Sequence, residues 1–311
     1  KKIKNWIKSN YIILLLLILA AALRFYHIDY QSLWLDEICS IIEANPEIKW
    51  SDLERNIIST DPHPPLYFAL MKILFQLFGY TSLVARAFSA GVGVVGVYAI
   101  YLLGKEINNK NTGLIAAFLL AINSFHIYYS QEVRMYALLL LFTVLSYYRL
   151  VLFLKTTTYK NAILYGLFTS FMLLTQFFGL FVFASQLIVL LFIFIKKEKS
   201  VKLLFFKQLF VSGCIIIISF LPALTIFIET TKKKYAAIQP TTLDTIFLIF
   251  KDFVQQSHVL LFLYSALIVV CIYYAFKEKM KQSYLILFSW VIITLTIPII
   301  RSYLVTPMIV S

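Results

Sequence analysis

Nine apolar runs recur along the chain, at roughly 9–23, 84–103, 113–128, 136–154, 161–175, 178–195, 208–228, 259–276 and 284–300. Each is mostly Leu, Ile, Phe, Val and Ala, and each is bounded by charge, Gly, Asn or Ser. Runs of this kind cross a hydrocarbon layer ~30 Å thick as helices, because a helix satisfies its own backbone where no water is present. The stretch 161–195 would make about 52 Å of helix at 1.5 Å per residue, too long for one span. It therefore splits near Gln176 to Gly179. A soluble fold is excluded: 61% of the residues are hydrophobic and 14% charged, too few charges to coat a core of this length. The sequence predicts an all-α, polytopic transmembrane helical bundle of about nine spans, forming one transmembrane domain over 1–311.

The net charge of +13 is not a nucleic-acid signature, since the lysines sit in short clusters between apolar runs. With the amino terminus in the cytoplasm, 17 of the 28 basic residues fall on the inner side, accompanied only by Glu106, Glu198 and Glu278. Twelve of the fifteen acids and all four histidines then fall on the other side or at its interface. The chain is expected in the cell membrane with its chemistry on the non-cytoplasmic face. Cys39, Cys214 and Cys271 have neither disulfide nor metal-ligand spacing, and no ligand cluster suggests a metal or other cofactor. No cleavable signal peptide follows Lys8. The chain opens without an initiator Met and ends in an apolar stretch, so both ends read as cut.

Two loops on the non-cytoplasmic side are long, 24–82 and 229–258. Ser51-Asp52-Leu53-Glu54 has the form of a capping box, followed by an apolar face of Trp50, Leu53, Ile57 and Ile58, which predicts a short interfacial helix. Pro65 to Phe78 is apolar apart from Lys72 and too short to span, and Thr241 to Phe253 reads as a third interfacial helix. Such helices either wall a cavity for a lipid tail or simply anchor the loops.

Three blocks in these loops carry candidate chemistry. Asp36 and Glu37 are neighbours, so they cannot both face one partner; one would line a cavity while the other makes a structural bond, unless both are simply solvated. In Asp61-Pro62-His63-Pro64-Pro65 the prolines hold the preceding residues extended, which turns Asp61 and His63 to the same side. That suits a substrate contact, and equally a turn leading into a helix. In Tyr128 to Tyr136, Tyr129, Gln131, Glu132 and Arg134 form a polar turn between two spans. There, Arg134 either pairs with Glu132 or holds a phosphate headgroup. Arg86 and Arg301, near the same face, are anchors or phosphate ligands.

Trp34-Leu35-Asp36-Glu37, His63-Pro64-Pro65-Leu66-Tyr67 and Tyr129-Ser130-Gln131-Glu132-Val133-Arg134-Met135-Tyr136-Ala137, in this order, resemble the dolichyl-phosphate-mannose protein mannosyltransferase-like family. This is the GT-C class of membrane glycosyltransferases, which includes bacterial aminoarabinose transferases, and the resemblance runs from about residue 12 to 195. It implies inverting transfer of a sugar from a polyprenyl-phosphate donor to an acceptor hydroxyl on a protein, lipid or glycan, on the non-cytoplasmic side. Asp36 is then the expected general base and Glu37 its support. Asp61, His63, Tyr129, Gln131, Glu132 and Arg134 are expected to line the sugar or phosphate pocket. The chain departs from the family at Thr175-Gln176-Phe177, where members often show Thr-His-Tyr. Members also continue past the equivalent of Ser311, so this chain is expected to be truncated at its C-terminus. The rival readings are a multi-span transporter, which would place ionisable groups at mid-membrane on broken repeats, and a non-catalytic lipid-binding membrane protein, which would have no need of Asp36.

Overall fold

Every predicted apolar run is wound as a helix. The computed structural model describes residues 2–60, 62–232, 256–277 and 282–304, with single positions at 248, 251 and 254. In chain order the described helices are α1 (Lys2–Phe25), α2 (Leu35–Glu43), α3 (Leu53–Ser59), α4 (Leu66–Phe78), α5 (Ser82–Ile107), α6 (Lys110–Ile122), α7 (Ser124–Gln131), α8 (Tyr136–Lys155), α9 (Tyr159–Thr175), α10 (Gly179–Lys196), α11 (Lys199–Lys232), α12 (His258–Lys277) and α13 (Gln282–Leu304). Among the described residues there are helices, turns and bends but no strands. The protein is a multi-pass membrane protein. The expected break at Gln176 to Gly179 is present, between α9 and α10.

The expected count of nine spans is approximate. Among the described residues, six helices are long and apolar enough to cross a membrane, and α6 with α7 makes a seventh as a pair bent by 60°. The run 113–128 is thus a broken segment rather than one straight span. Asn123 is the cause: its backbone is extended at φ −67° and ψ 113°, and its side chain accepts a hydrogen bond from the His126 N–H at 2.8 Å, starting α7 afresh. The carbonyls left open at the end of α6 are taken by the buried guanidinium of Arg24, which donates to Leu120 and Ala121 at 3.0 Å each.

The chain divides into two compact units. The first holds 1–179 and 199–233, the second 180–198 and 234–311. In the first, α1 packs on α5 and α6 through Ile13, Ala20, Val97, Tyr101, Ala117 and Ala121. Helices α5 and α6 approach closely at Gly104 and Gly113; a Cβ added to Gly104 would lie 2.9 Å from the Gly113 Cα. Helices α8 and α9 are joined by a 2.8 Å hydrogen bond between the Ser146 and Thr169 hydroxyls, and α9 and α11 by the Ser212 hydroxyl donating to Ala162. The second unit contains α10, α12 and α13.

The interfacial helices are as short as expected, but their start differs. Trp50–Asp52 winds as a 3₁₀ turn before α3, so Ser51 lacks the extended backbone of a cap and the capping box is not made. The predicted apolar face is right in outline: Leu53 and Ile57 are buried while Glu54 and Arg55 are exposed. Helix α4 buries Tyr67, Phe68, Met71, Lys72 and Phe75. The Lys72 ammonium is satisfied by the carbonyls of Asn45 (2.6 Å) and Ile48 (2.5 Å), which latches the segment after α2 onto α4. The helix expected at Thr241 to Phe253 lies outside the described residues.

Candidate active site

Helix α2 starts at Leu35 after an extended Trp34, which puts Glu37 at the third helical position, where a carboxylate can reach back to the backbone before the helix. It does so: Glu37 Oε2 accepts from the Trp34 N–H at 3.3 Å. Its other donors come from distant parts of the chain. Arg86 of α5 donates from Nε to Oε1 (3.3 Å) and from Nη2 to Oε2 (3.0 Å), and the Val133 N–H donates to Oε1 at 2.9 Å. Glu37 is 1% exposed and Arg86 4%. Arg86 spends its remaining donors on the carbonyls of Ile28, Gln31 and Ser32. Of the two roles open to Arg86, the structure assigns the anchor. Glu37 and Arg86 fasten the loop after α1, the start of α2 and the α7–α8 turn to α5.

Asp36, one residue earlier, points elsewhere. Its side chain is 39% exposed, and Oδ2 lies 3.8 Å from Nη2 of Arg134. Arg134 is buried, and it also donates to the Ser40 hydroxyl (3.3 Å) and to the Asp36 carbonyl (3.4 Å). The same Nη2 lies 3.1 Å from Nε2 of half-buried His63. A guanidinium only donates, so His63 accepts through Nε2. Arg134 therefore joins Asp36 and Ser40 of α2 to the Pro-rich segment before α4. Pro62 to Pro64 are outside any helix, as the prolines require, and the Pro62 carbonyl accepts from the Thr230 hydroxyl of α11 at 3.1 Å. Asp61 lies outside the described residues.

Glu132, the residue just past α7, is 7% exposed and takes a hydrogen bond from Tyr128, not the alternative partner Arg134. Among the described residues, its Oε2 has no hydrogen-bond partner. Burial pushes its carboxyl up to about 7. The Tyr128 hydroxyl and the Arg134 charge oppose that rise, and the charges of Glu37 and Asp36 add to it.

Two further residues expected in the pocket also make contacts within the bundle. The Gln131 amide donates to the carbonyls of Arg24 (3.2 Å) and Tyr26 (2.9 Å), tying the end of α7 to the end of α1. Tyr129 sits in an aromatic cluster with Phe125, Tyr128 and Tyr136. Arg301 belongs to α13 in the second unit. Residues not singled out from the sequence complete the site. Ser40 sits one helical turn past Asp36, a spacing that places both on one face of α2. Tyr67 is buried, bonds the Ser89 hydroxyl at 3.0 Å and packs against Phe88 with ring centroids 5.7 Å apart. Phe88 in turn lines an open apolar groove of about 540 Å³ between α4 and α5, closed at one point by Leu141 of α8.

A helical membrane bundle of this topology is the fold of GT-C glycosyltransferases. The chain matches the Saccharomyces cerevisiae protein O-mannosyltransferase Pmt1–Pmt2 complex bound to its sugar donor with a TM-score of 0.56 at 18% identity, over 72% of this chain and 34% of that one. It matches the Archaeoglobus fulgidus oligosaccharyltransferase, solved with zinc and sulfate, with a TM-score of 0.60 at 16% identity, over 90% of this chain and 45% of that one. The chain belongs to the dolichyl-phosphate-mannose-protein mannosyltransferase family, whose profile matches residues 62–226. Over 165 residues it is 34% identical to dolichyl-phosphooligosaccharide-protein glycotransferase 1 of Pyrococcus horikoshii, covering 48% of this chain and 16% of that relative's length. The family match includes His63 and the 129–134 turn and begins after Asp36 and Glu37.

Proposed function

We propose that this chain is the membrane part of a glycosyltransferase that moves a sugar from a polyprenyl-phosphate donor to an acceptor hydroxyl. The reaction takes place on the non-cytoplasmic face of the cell membrane, with the amino terminus in the cytoplasm. Membership of the mannosyltransferase family supports the reaction class, and the distribution of Lys and Arg supports the orientation. The observation that carries the reading is Arg134, a buried guanidinium held between a half-exposed carboxylate, a serine hydroxyl and a histidine. That grouping supports the reading of a cation for a phosphate beside a carboxylate that takes a proton.

In the reaction the acceptor oxygen attacks the anomeric carbon as Asp36 takes its proton. The bond from that carbon to the lipid phosphate oxygen breaks, its electron pair leaves on the phosphate, and the anomeric configuration inverts. The leaving group is already good, so charge neutralisation by Arg134 and proton acceptance by Asp36 are what the protein must supply. Glu37, with its four donors, does not touch the sugar; it holds α2 so that Asp36 faces the site. His63, Glu132 and Arg134 border the phosphate and sugar, and Asp61, Tyr129 and Gln131 complete the walls. The apolar groove beside Phe88 offers the polyprenyl tail a wall, at ~0.8 kcal/mol per buried CH₂.

The experiment is turnover by the full-length protein and its Asp36→Asn form in nanodiscs. Each is given labelled polyprenyl-phosphate sugars and a membrane extract of the source cell, and release of polyprenyl phosphate is followed. Consumption of a donor by the parent, with binding but no turnover by Asp36→Asn, supports both the reaction and the base. Equal turnover by the two forms removes Asp36 from the mechanism. If neither form binds any donor, the transferase reading fails and a transport assay follows.

A further inference from the structure

We infer that Glu132 is the proton-holding residue of this site, taking up one proton when an anionic phosphodiester settles beside Arg134. The inference rests on the transferase reading and follows from how charge is shared among the described residues. Three carboxylates meet here, and only two cations accompany them. Glu37 is matched by Arg86 and by two backbone N–H donors. Asp36 faces Arg134 and is partly in water. Glu132 is the carboxylate left over: it is buried, it has one phenolic donor in Tyr128, and its second oxygen makes no hydrogen bond.

The groups that act on Glu132 come from neighbouring elements: Asp36 and Glu37 from α2, Tyr128 from α7, and Arg134 from the turn, while the Glu132 charge in turn acts on Tyr67 of α4. A phosphodiester brings one more negative charge to a cluster whose described carboxylates, Asp36, Glu37 and Glu132, already outnumber its guanidiniums, Arg86 and Arg134. Protonation at Glu37 would forfeit the bonds from Arg86, and protonation at Asp36 would remove the base the reaction needs. At Glu132 protonation relieves the repulsion, and an un-ionised carboxyl suits its burial. When the phosphate leaves, the proton is released again, so the site is recharged for the next donor without changing shape.

The test measures binding of a polyprenyl methyl phosphate, a diester with one fixed charge and no sugar, to the full-length protein in nanodiscs from pH 5.5 to 8.5. Titration calorimetry in two buffers of different ionisation enthalpy counts the protons exchanged. For the parent, uptake approaches one proton at pH 8, and affinity falls up to about tenfold per pH unit above neutrality. Glu132→Gln binds with little pH dependence and no uptake, and at pH 8 it binds at least as tightly as the parent. Tyr128→Phe removes a donor that favours the ionised carboxylate, so its affinity persists to higher pH, which checks the assignment in a second, milder variant. Parent binding that is flat with pH, or uptake that survives in Glu132→Gln, overturns the inference while leaving the transferase reading in place. Absence of binding by parent and variants at every pH overturns both.

Discussion

Two ion pairs one residue apart on α2 differ in how far they are closed to solvent. Glu37 and Arg86 are both buried, 3.0 Å apart, and every remaining donor of the pair is spent on backbone. Asp36 and Arg134 are 3.8 Å apart, with the carboxylate side chain 39% exposed. The closed pair satisfies itself and leaves no room for a ligand. The open pair leaves lone pairs of Asp36 pointing to solvent while its cation is held in place from several sides. A carboxylate that must take a proton cannot also be saturated with donors, and adjacency on a helix makes the two roles separable because neighbours point in different directions.

The comparison is broken most forcefully at the closed pair. Glu37→Ala leaves Arg86 buried without its carboxylate, and a loss of about 3–5 kcal/mol of stability is expected. Thermal unfolding in detergent reads this directly, and activity should disappear with the folded protein. Asp36→Asn is the contrasting case. Turnover should fall by about 10²–10⁴-fold, while the unfolding transition moves less than for Glu37→Ala, since the Asp36 side chain is partly in water and Arg134 keeps its bonds to Ser40 and His63. A melting temperature as depressed as that of Glu37→Ala would merge the two pairs into one structural network.

A finer cut comes from Arg134→Lys. The charge remains, but one ammonium cannot reproduce the fork that reaches Ser40, His63 and Asp36 together. Donor KM should rise by roughly tenfold, with kcat changed less, because the lost interactions bind the phosphate in both ground and transition states.

The smallest effect belongs to Glu132. Its folded-state pKa, raised to about 7 from an ordinary 4.5, means that the folded chain keeps a proton which the unfolded chain gives up. The stability this contributes is complete below about 4.5 and is lost as pH rises through 7. Glu132→Gln should therefore melt a few degrees above the parent at pH 8 and match it near pH 5. The opposite order would show that the ionised carboxylate is stabilised in the fold.

The bundle was largely legible from periods of apolar residues and from the placement of lysines, because span length and loop charge are local properties. The blocks around Asp36, His63 and Arg134 were legible as residue types, and their convergence rests on contacts across 71 and 98 residues. What could not be read was which of two adjacent carboxylates would be closed off, since that depends on Arg86, 49 residues on. The break at Asn123 was hidden for a related reason. The apolar run continues through it, and the cation that makes the break tolerable sits in α1. Gln131 was legible as a polar residue of the turn, but not that its amide ties two helix ends together. Local sequence shows that a polar group is present; only the packed chain shows where its hydrogen bonds go.

The Arg24 cap also sets an order for biogenesis. The guanidinium is made 97 residues before the Ala121 carbonyl that receives it. At typical translation rates, that is an interval on the order of 5 to 20 s. Throughout this time Arg24 lacks its partners on α6 and α7. The 13 residues of α6, about 20 Å of helix, are too short to cross the bilayer alone when they emerge. Each segment is incomplete until the other arrives. Settling of α6 and α7 into the membrane is thus tied to an already placed α1, and a nascent chain stalled before residue 121 keeps its first helix in a provisional position.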